Sequence, residues 1–151
     1  MFRLKHHGCV LRDTTFADYR VIEEDVDGCE MIYCVMKAPF PISNRDFLQW
    51  RRTAEVPEEG IVKMMLRSAD HPSVPEKSGC VRAETLMSGY LMRRCPEDPN
   101  SSTLFIVAQT DVKGLIPKWL VNSAAAKAPL GWVEALRRAC SQYMKEQQSR
   151  L

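Results

Sequence analysis

The stretch Ala38–Arg52, APFPISNRDFLQWRR, limits the fold of this chain more than any other. Pro39 and Pro41 each remove a backbone donor and push the preceding residue into extended geometry, so the segment enters as a loop and not as a helix. After Asn44 the side chains of a strand must alternate between two faces. Arg45, Phe47, Gln49 and Arg51 then share one face, and Asp46, Leu48, Trp50 and Arg52 the other. Neither face is purely apolar, so an arginine is expected to point into a partly buried space. A guanidinium there needs an acid or a polar ligand, because an unpaired charge away from water is prohibitively costly.

The neighbouring segments read as further strands: Asp18–Glu24, Glu30–Lys37, Arg45–Ala54, Ile61–Ser68, Cys80–Arg93 with a bend at Gly89, and Thr103–Thr110. Asp27-Gly28 and Glu58-Glu59-Gly60 supply turns, and His71–Gly79 and Cys95–Ser102 are loops by composition. Successive strands with short turns predict an antiparallel meander. The tail differs. Pro117 suits the first turn of a helix that runs through Lys118–Lys127, with a break or kink at Pro129-Leu130-Gly131. From Trp132 onward, Trp132, Leu136, Cys140, Tyr143 and Met144 recur at helical spacing. The fold class expected is α+β, a strongly curved antiparallel sheet covered by a long C-terminal helix. The helical stripe reads equally well as packed core or as a ligand-facing surface.

Length suits one domain spanning residues 1–151, with room for a sizeable core. The apolar fraction is 45% and the charged fraction 26%, ordinary for a globular protein. A net charge of +2 leaves no electrostatic case for nucleic acid or for strong membrane attraction. No apolar run approaches the roughly 20 residues that span a bilayer, and Met1–Cys9 lacks the apolar core of an export signal. Cys9, Cys29, Cys34, Cys80, Cys95 and Cys140 are scattered rather than paired, which fits reduced thiols in a cytoplasmic protein. His6, His7 and Cys9 lie close together but lack a second ligand pair at metal-site spacing, so a solvated segment is the better reading.

There is little to suggest covalent chemistry. No Gly-rich phosphate loop or nucleophile elbow occurs. Ser68-Ala69-Asp70-His71 gathers triad residue types, but a triad is defined by geometry and not by adjacency. Arg45-Asp46 reads as a structural salt bridge before a proton-transfer pair. The inventory favours a binder over an enzyme, with no cofactor, metal or catalytic residue assigned.

Three segments together resemble a known family. Pro39–Phe47 followed by Arg51, then Gly79-Cys80-Val81-Arg82, then Asp111–Asn122 are similar to successive motifs of START domains, the StAR-related lipid-transfer domains. The resemblance runs in order from about Asp13 to Tyr143, and the branch that carries phosphatidylcholine looks most similar. It implies a helix-grip fold, a curved sheet around a lipid tunnel with the C-terminal helix as lid. It also implies that the family's first helix and strands precede the point where this chain starts. Arg12-Asp13 stands where the family has a Trp-Asp pair.

Residue by residue, the family's tunnel arginine matches Arg51, and an aromatic of the choline cage matches Phe47. The two other cage positions fall on Cys34 and Leu86, which have no ring to hold a quaternary ammonium by cation–π attraction. The function implied is non-covalent binding of a lipid, a phospholipid or a sterol, and its transfer between membranes. Ile32, Cys34, Met36, Phe47 and Leu86 would line the cavity, with Leu136 and Cys140 from the helix. Arg51 would meet a head group, or Glu84 when no lipid is bound. The loop Ala38–Asn44 and the helix from Trp132 would move to admit the ligand during transient contact with a membrane surface. Sheet strands missing at the front leave an edge open, which admits three outcomes: a fragment, a homodimer through that edge, or a partly open cavity. The alternatives in function are an interaction module without transfer activity and, further off, a cavity enzyme using Glu84 with Arg51.

Overall fold

A computed structural model describes residues 16–26, 28–98 and 100–149. His6, His7, Cys9, Arg12-Asp13 and Asp27, singled out above, lie outside the described residues. The chain separates into two compact units, one ending at Gly114 and holding the whole sheet, the other holding the C-terminal helix.

The sheet comprises β1 (Phe16–Val26), β2 (Cys29–Met36), β3 (Asn44–Val56), β4 (Ile61–Ser68), β5 (Cys80–Arg82), β6 (Glu84–Arg94) and β7 (Ser102–Asp111). Its order is β1-β2-β3-β4-β6-β7, and every pair along that path is antiparallel. β3 is the pivot, buried at almost every position from Arg45 to Arg51 and bonded on both sides. The loop before it is shut at its base by Asn44, whose Oδ1 accepts from the Ala38 amide at 3.1 Å. Between β3 and β4 a 3-10 turn, Pro57–Glu59, ends at Gly60, whose φ of 61° suits glycine in the left-handed region.

The expected strand Cys80–Arg93 is two strands. β4 covers β3 only from Gln49 to Val56, so the groups of Asn44–Asp46 need another partner. β5 supplies it, running parallel to β3 with Asn44, Arg45 and Asp46 opposite Cys80, Val81 and Arg82. Ala83, 1% exposed, donates its amide to the Asp46 carbonyl at 2.9 Å and turns the chain into β6. The sheet is therefore a meander with one parallel graft. Gly89 marks no break. A Cβ there would stand 3.2 Å from the Met64 carbonyl oxygen, so its lack of a side chain lets β6 lie close on β4. The irregularity of β6 sits instead between Thr85 and Met87, where a bulge against β7 leaves Leu86 aside.

The second unit carries one helix, α1 (Lys118–Gln148), which continues through Pro129 where a break was expected. Proline at this position forfeits one hydrogen bond to the preceding turn. The Ala124–Ala126 run before it and the Leu- and Arg-containing run after it are strong helix formers and sustain both flanks. No helix among the described residues is long and apolar enough to cross a membrane.

Candidate functional site

Strand alternation sorts the centre of the sheet into two chemically different faces. One carries Met31, Tyr33, Val35 and Leu48, all buried, with Val74 from the long loop packed among them. This face is a closed core. Asp46 belongs to it, fully enclosed, with its Oδ2 accepting from Arg82 Nε at 3.1 Å and Nη2 at 2.9 Å. Arg20 lies over the Tyr33 ring with its guanidinium carbon 4.7 Å from the centroid.

The other face holds the residues that sequence reasoning singled out. Cys34 stands opposite Phe47 on β3 and Tyr19 on β1, and the Cys34–Phe47–Ala83 cluster gathers Phe16, Tyr19 and Met36 around it. Phe16 and Tyr19 meet edge to face at 6.4 Å. Ile32 lies opposite Gln49 and is 4% exposed. Burial pushes the Cys34 thiol up to about 12, so it stays neutral and behaves as a small apolar group.

Arg51 is the charged member of this face. It is 8% exposed, and its cross-strand neighbours are Glu30 on β2 and Leu66 on β4. Its Nε donates to Glu30 Oε1 at 3.0 Å, and Nη2 lies 2.8 Å from the same oxygen. That oxygen is off line for Nη2, and neither Nη2 nor the enclosed Tyr19 hydroxyl makes a well-aligned hydrogen bond, although the two groups lie close enough to interact with each other. Burial pushes the Tyr19 phenol up, against the opposing pull of the Arg51 charge and of a side-chain hydrogen bond from Arg51. Two polar groups with spare donor capacity thus border an apolar cluster. Gln49 extends the polar strip by donating to the Thr85 hydroxyl.

The other expected positions are placed differently. Glu84 does not pair with Arg51; it holds Lys113 at 2.9 Å. Leu86 is 47% exposed in its bulge, and Thr85, 2% exposed, takes the buried position on β6. Leu136 is half-buried and Cys140 exposed on α1, in the separate helical unit. Arg45 and Asp46 form no salt bridge with each other. Arg45 donates to the carbonyls of Val112, Ser43 and Lys113, and Asp46 takes Arg82. The Ser68–His71 run forms no triad: Ser68 Oγ accepts the Thr85 amide, while His71 pairs with Glu23 at 2.8 Å and with Ser73.

Tyr19, Glu30 and Thr85 are the site groups that sequence reading missed, while Gln49 was set on the Arg51 face by alternation but given no role. Counting back through the β1–β2 hairpin from Cys34 would have found Tyr19, and pairing β2 with β3 through the proline loop would have found Glu30. No comparable signal marks Thr85, since its position depends on the bulge.

Comparisons with known proteins agree with this architecture. Human phosphatidylcholine transfer protein is 29% identical over 126 residues, which cover 82% of this chain and 58% of that protein. Human START domain-containing protein 10 is 30% identical over 119 residues, covering 79% of this chain and 40% of the relative. The chain thus spans little more than half the length of the former and less of the latter. The crystal structure of human STARD10 superposes with a TM-score of 0.81 at 28% identity, over 95% of this chain and 58% of that one. Human StAR-related lipid transfer protein 5, at 22% identity, has the same fold with a TM-score of 0.74 over 86% of this chain and 62% of that one. The START domain profile matches residues 13–147, and the chain belongs to the START domain family.

Proposed function

We propose that the chain binds a lipid on the Tyr19–Cys34–Phe47 face of its sheet, with Arg51 at the polar end, and carries it between membranes without covalent chemistry. The observation that supports this most is the enclosed polar pair beside an apolar cluster, Arg51 Nη2 and the Tyr19 hydroxyl, which touch each other yet keep donor hydrogens without an aligned acceptor. Leaving a buried polar group unsatisfied costs about 1–3 kcal/mol. A phosphate or ester oxygen of a phospholipid accepts from both donors, and a sterol hydroxyl accepts from one. Ile32, Cys34, Met36 and Phe47 offer the apolar surface for the chains, and the flexible Met36 adapts to their shape.

In this proposal residues 1–151 act as one cytoplasmic lipid-binding domain. Phe40, 98% exposed at the tip of the proline loop, is the group proposed to touch the membrane, where an aromatic ring suits the interface.

The test is native mass spectrometry of the protein after incubation with vesicles of phosphatidylcholine, phosphatidic acid and cholesterol. One lipid per chain is expected on the parent and a marked loss on Arg51→Leu. A parent that emerges empty from every mixture defeats the proposal in favour of an interaction module.

A further inference from the structure

The fold scatters the triad residue types of the Ser68–His71 run, yet it sets His71 between an acid and a hydroxyl from elsewhere. His71 Nε2 lies 2.8 Å from Glu23 Oε1 on β1, and Nδ1 lies 2.7 Å from the Ser73 hydroxyl. The Ser73 amide also donates to Nδ1, at 3.2 Å. An amide can only donate, so Nδ1 must carry the lone pair and Nε2 the proton. The ring is held in one tautomer, giving its proton to Glu23 and offering a base to Ser73. These are the roles of acid, base and nucleophile in a triad, which is defined by geometry and not by sequence order. Here the ring is turned end for end, with the acid on Nε2 and the serine on Nδ1.

The loop that carries this array is pinned in place. Val74, 8% exposed, packs among Met31, Tyr33 and Leu48, and its amide donates to the His71 carbonyl at 3.0 Å. Arg82 Nη2 holds the carbonyls of Val74 and Pro75, each at 3.3 Å. The His71 side chain is 24% exposed, whereas Ser73 is open to solvent. Beside them lies a concavity of about 360 Å³ walled by His71, Pro72, Val74 and Pro75. Its rim bears the carboxylates Asp70 and Glu76, and the Arg82 charge there is already neutralised by Asp46. Such a space admits a small neutral or cationic molecule and repels an anionic one.

We propose that Ser73 is a nucleophile, activated by His71 and Glu23, that accepts the acyl group of a small uncharged or cationic activated ester. Ser73 Oγ bonds to the ester carbonyl carbon while its proton passes to His71 Nδ1, and Glu23 stabilises the imidazolium so formed. The adduct then collapses: the bond to the leaving oxygen breaks, Nδ1 returns the proton to that oxygen, and Ser73 remains acylated. Hydrolysis of the acyl-serine is slow, because the loop offers no oxyanion donor. The Ser73 amide is given to Nδ1 and the Val74 amide to the His71 carbonyl, while Pro72 and Pro75 have none. The array therefore acts once per chain. Through Val74 it packs on the Met31–Leu48 face and not on the Arg51 face, so it stands or falls apart from lipid binding.

The experiment treats the full chain with p-nitrophenyl acetate and follows the acetyl groups over time by peptide mass spectrometry. Ser73 is expected to be acetylated about tenfold faster than Ser78, an exposed serine of the same loop, a modest share of what a positioned base supplies. His71→Asn brings Ser73 down to the Ser78 rate. Glu23→Gln keeps an acceptor for Nε2 but removes the charge, and slows Ser73 several-fold, with circular dichroism confirming that both variants are folded. Equal rates at Ser73 and Ser78 in the parent overturn the inference, as does a Ser73 rate untouched by His71→Asn in a folded variant. Acetyl groups collecting on the His71 ring instead of Ser73 overturn it too, since the imidazole is then the nucleophile.

Discussion

Glu30 and Arg51 face each other as register partners across β2 and β3, so the buried guanidinium is neutralised by the adjacent strand and not by Glu84. Both side chains are mostly shielded, 19% and 10% exposed, which makes the pair costly to break by halves. Arg51→Met removes the guanidinium from a shielded carboxylate and is expected to cost about 3 kcal/mol in urea unfolding, toward the low end for a buried pair. Glu30→Gln combined with Arg51→Met is expected to recover at least half of that loss. Equal midpoints for the single and double variants would show that the pair is not coupled.

Asp46 and Arg82 bind β3 to β5 on the opposite face. Arg82 also reaches the carbonyls of Val74 and Pro75 at 3.3 Å, so the pair ties down the long loop as well. Asp46→Ala strips the acid from a nearly enclosed guanidinium and is expected to lower stability by about 3–5 kcal/mol. Amide exchange should quicken first in Cys80–Arg82 and around Val74. Uniform exchange across the chain would contradict this local role.

Much of the site was legible because period-two alternation is a strict property of strands. Phe47 and Arg51 had to share a face, and both lie buried on it. Arg51's partner needed one step more, the β2–β3 register through the proline loop, which sets Glu30 opposite it. Leu86 was misplaced by a bulge that inserts one residue, a local event no periodicity announces. The parallel graft of β5 arises from the mismatch in length between β3 and β4, visible only once their register is known. Pro129 misled in the other direction: a local breaker was outweighed by the helix propensity on both sides of it.

Cys34 ties stability to alkaline pH. Its folded-state value is raised from 9.0 to about 12, so between these values the unfolded chain loses a proton that the folded chain keeps. With fewer protons on the unfolded state, stability must fall as pH rises above 9. The slope approaches about 1.4 kcal/mol per pH unit for one such group. Urea midpoints at pH 8, 9 and 10 should therefore decline in the parent and decline less in Cys34→Ala. The tyrosines Tyr19, Tyr33 and Tyr90, also raised by burial, steepen the fall further above pH 10 in both proteins. Parallel curves up to pH 10 would contradict the buried-thiol account.

Phe40 separates membrane contact from folding. Its side chain is 98% exposed, so Phe40→Ser is expected to alter stability by less than about 0.5 kcal/mol. Lipid bound per chain should stay constant while the rate of transfer between vesicles drops several-fold. An unchanged rate would remove the proline loop from the membrane step.

The central claim, that lipid lies on the Arg51 face of the sheet, is tested most directly by photo-crosslinking. A phosphatidylcholine with a diazirine in its acyl chain is bound, irradiated, and the labelled residues are read by peptide mass spectrometry. The account predicts labels on Cys34, Met36, Phe47 and their neighbours on that face, lost on competition with unlabelled lipid. Labels confined to Met31, Tyr33 and Leu48 on the opposite face, or spread without competition over the surface, would contradict it.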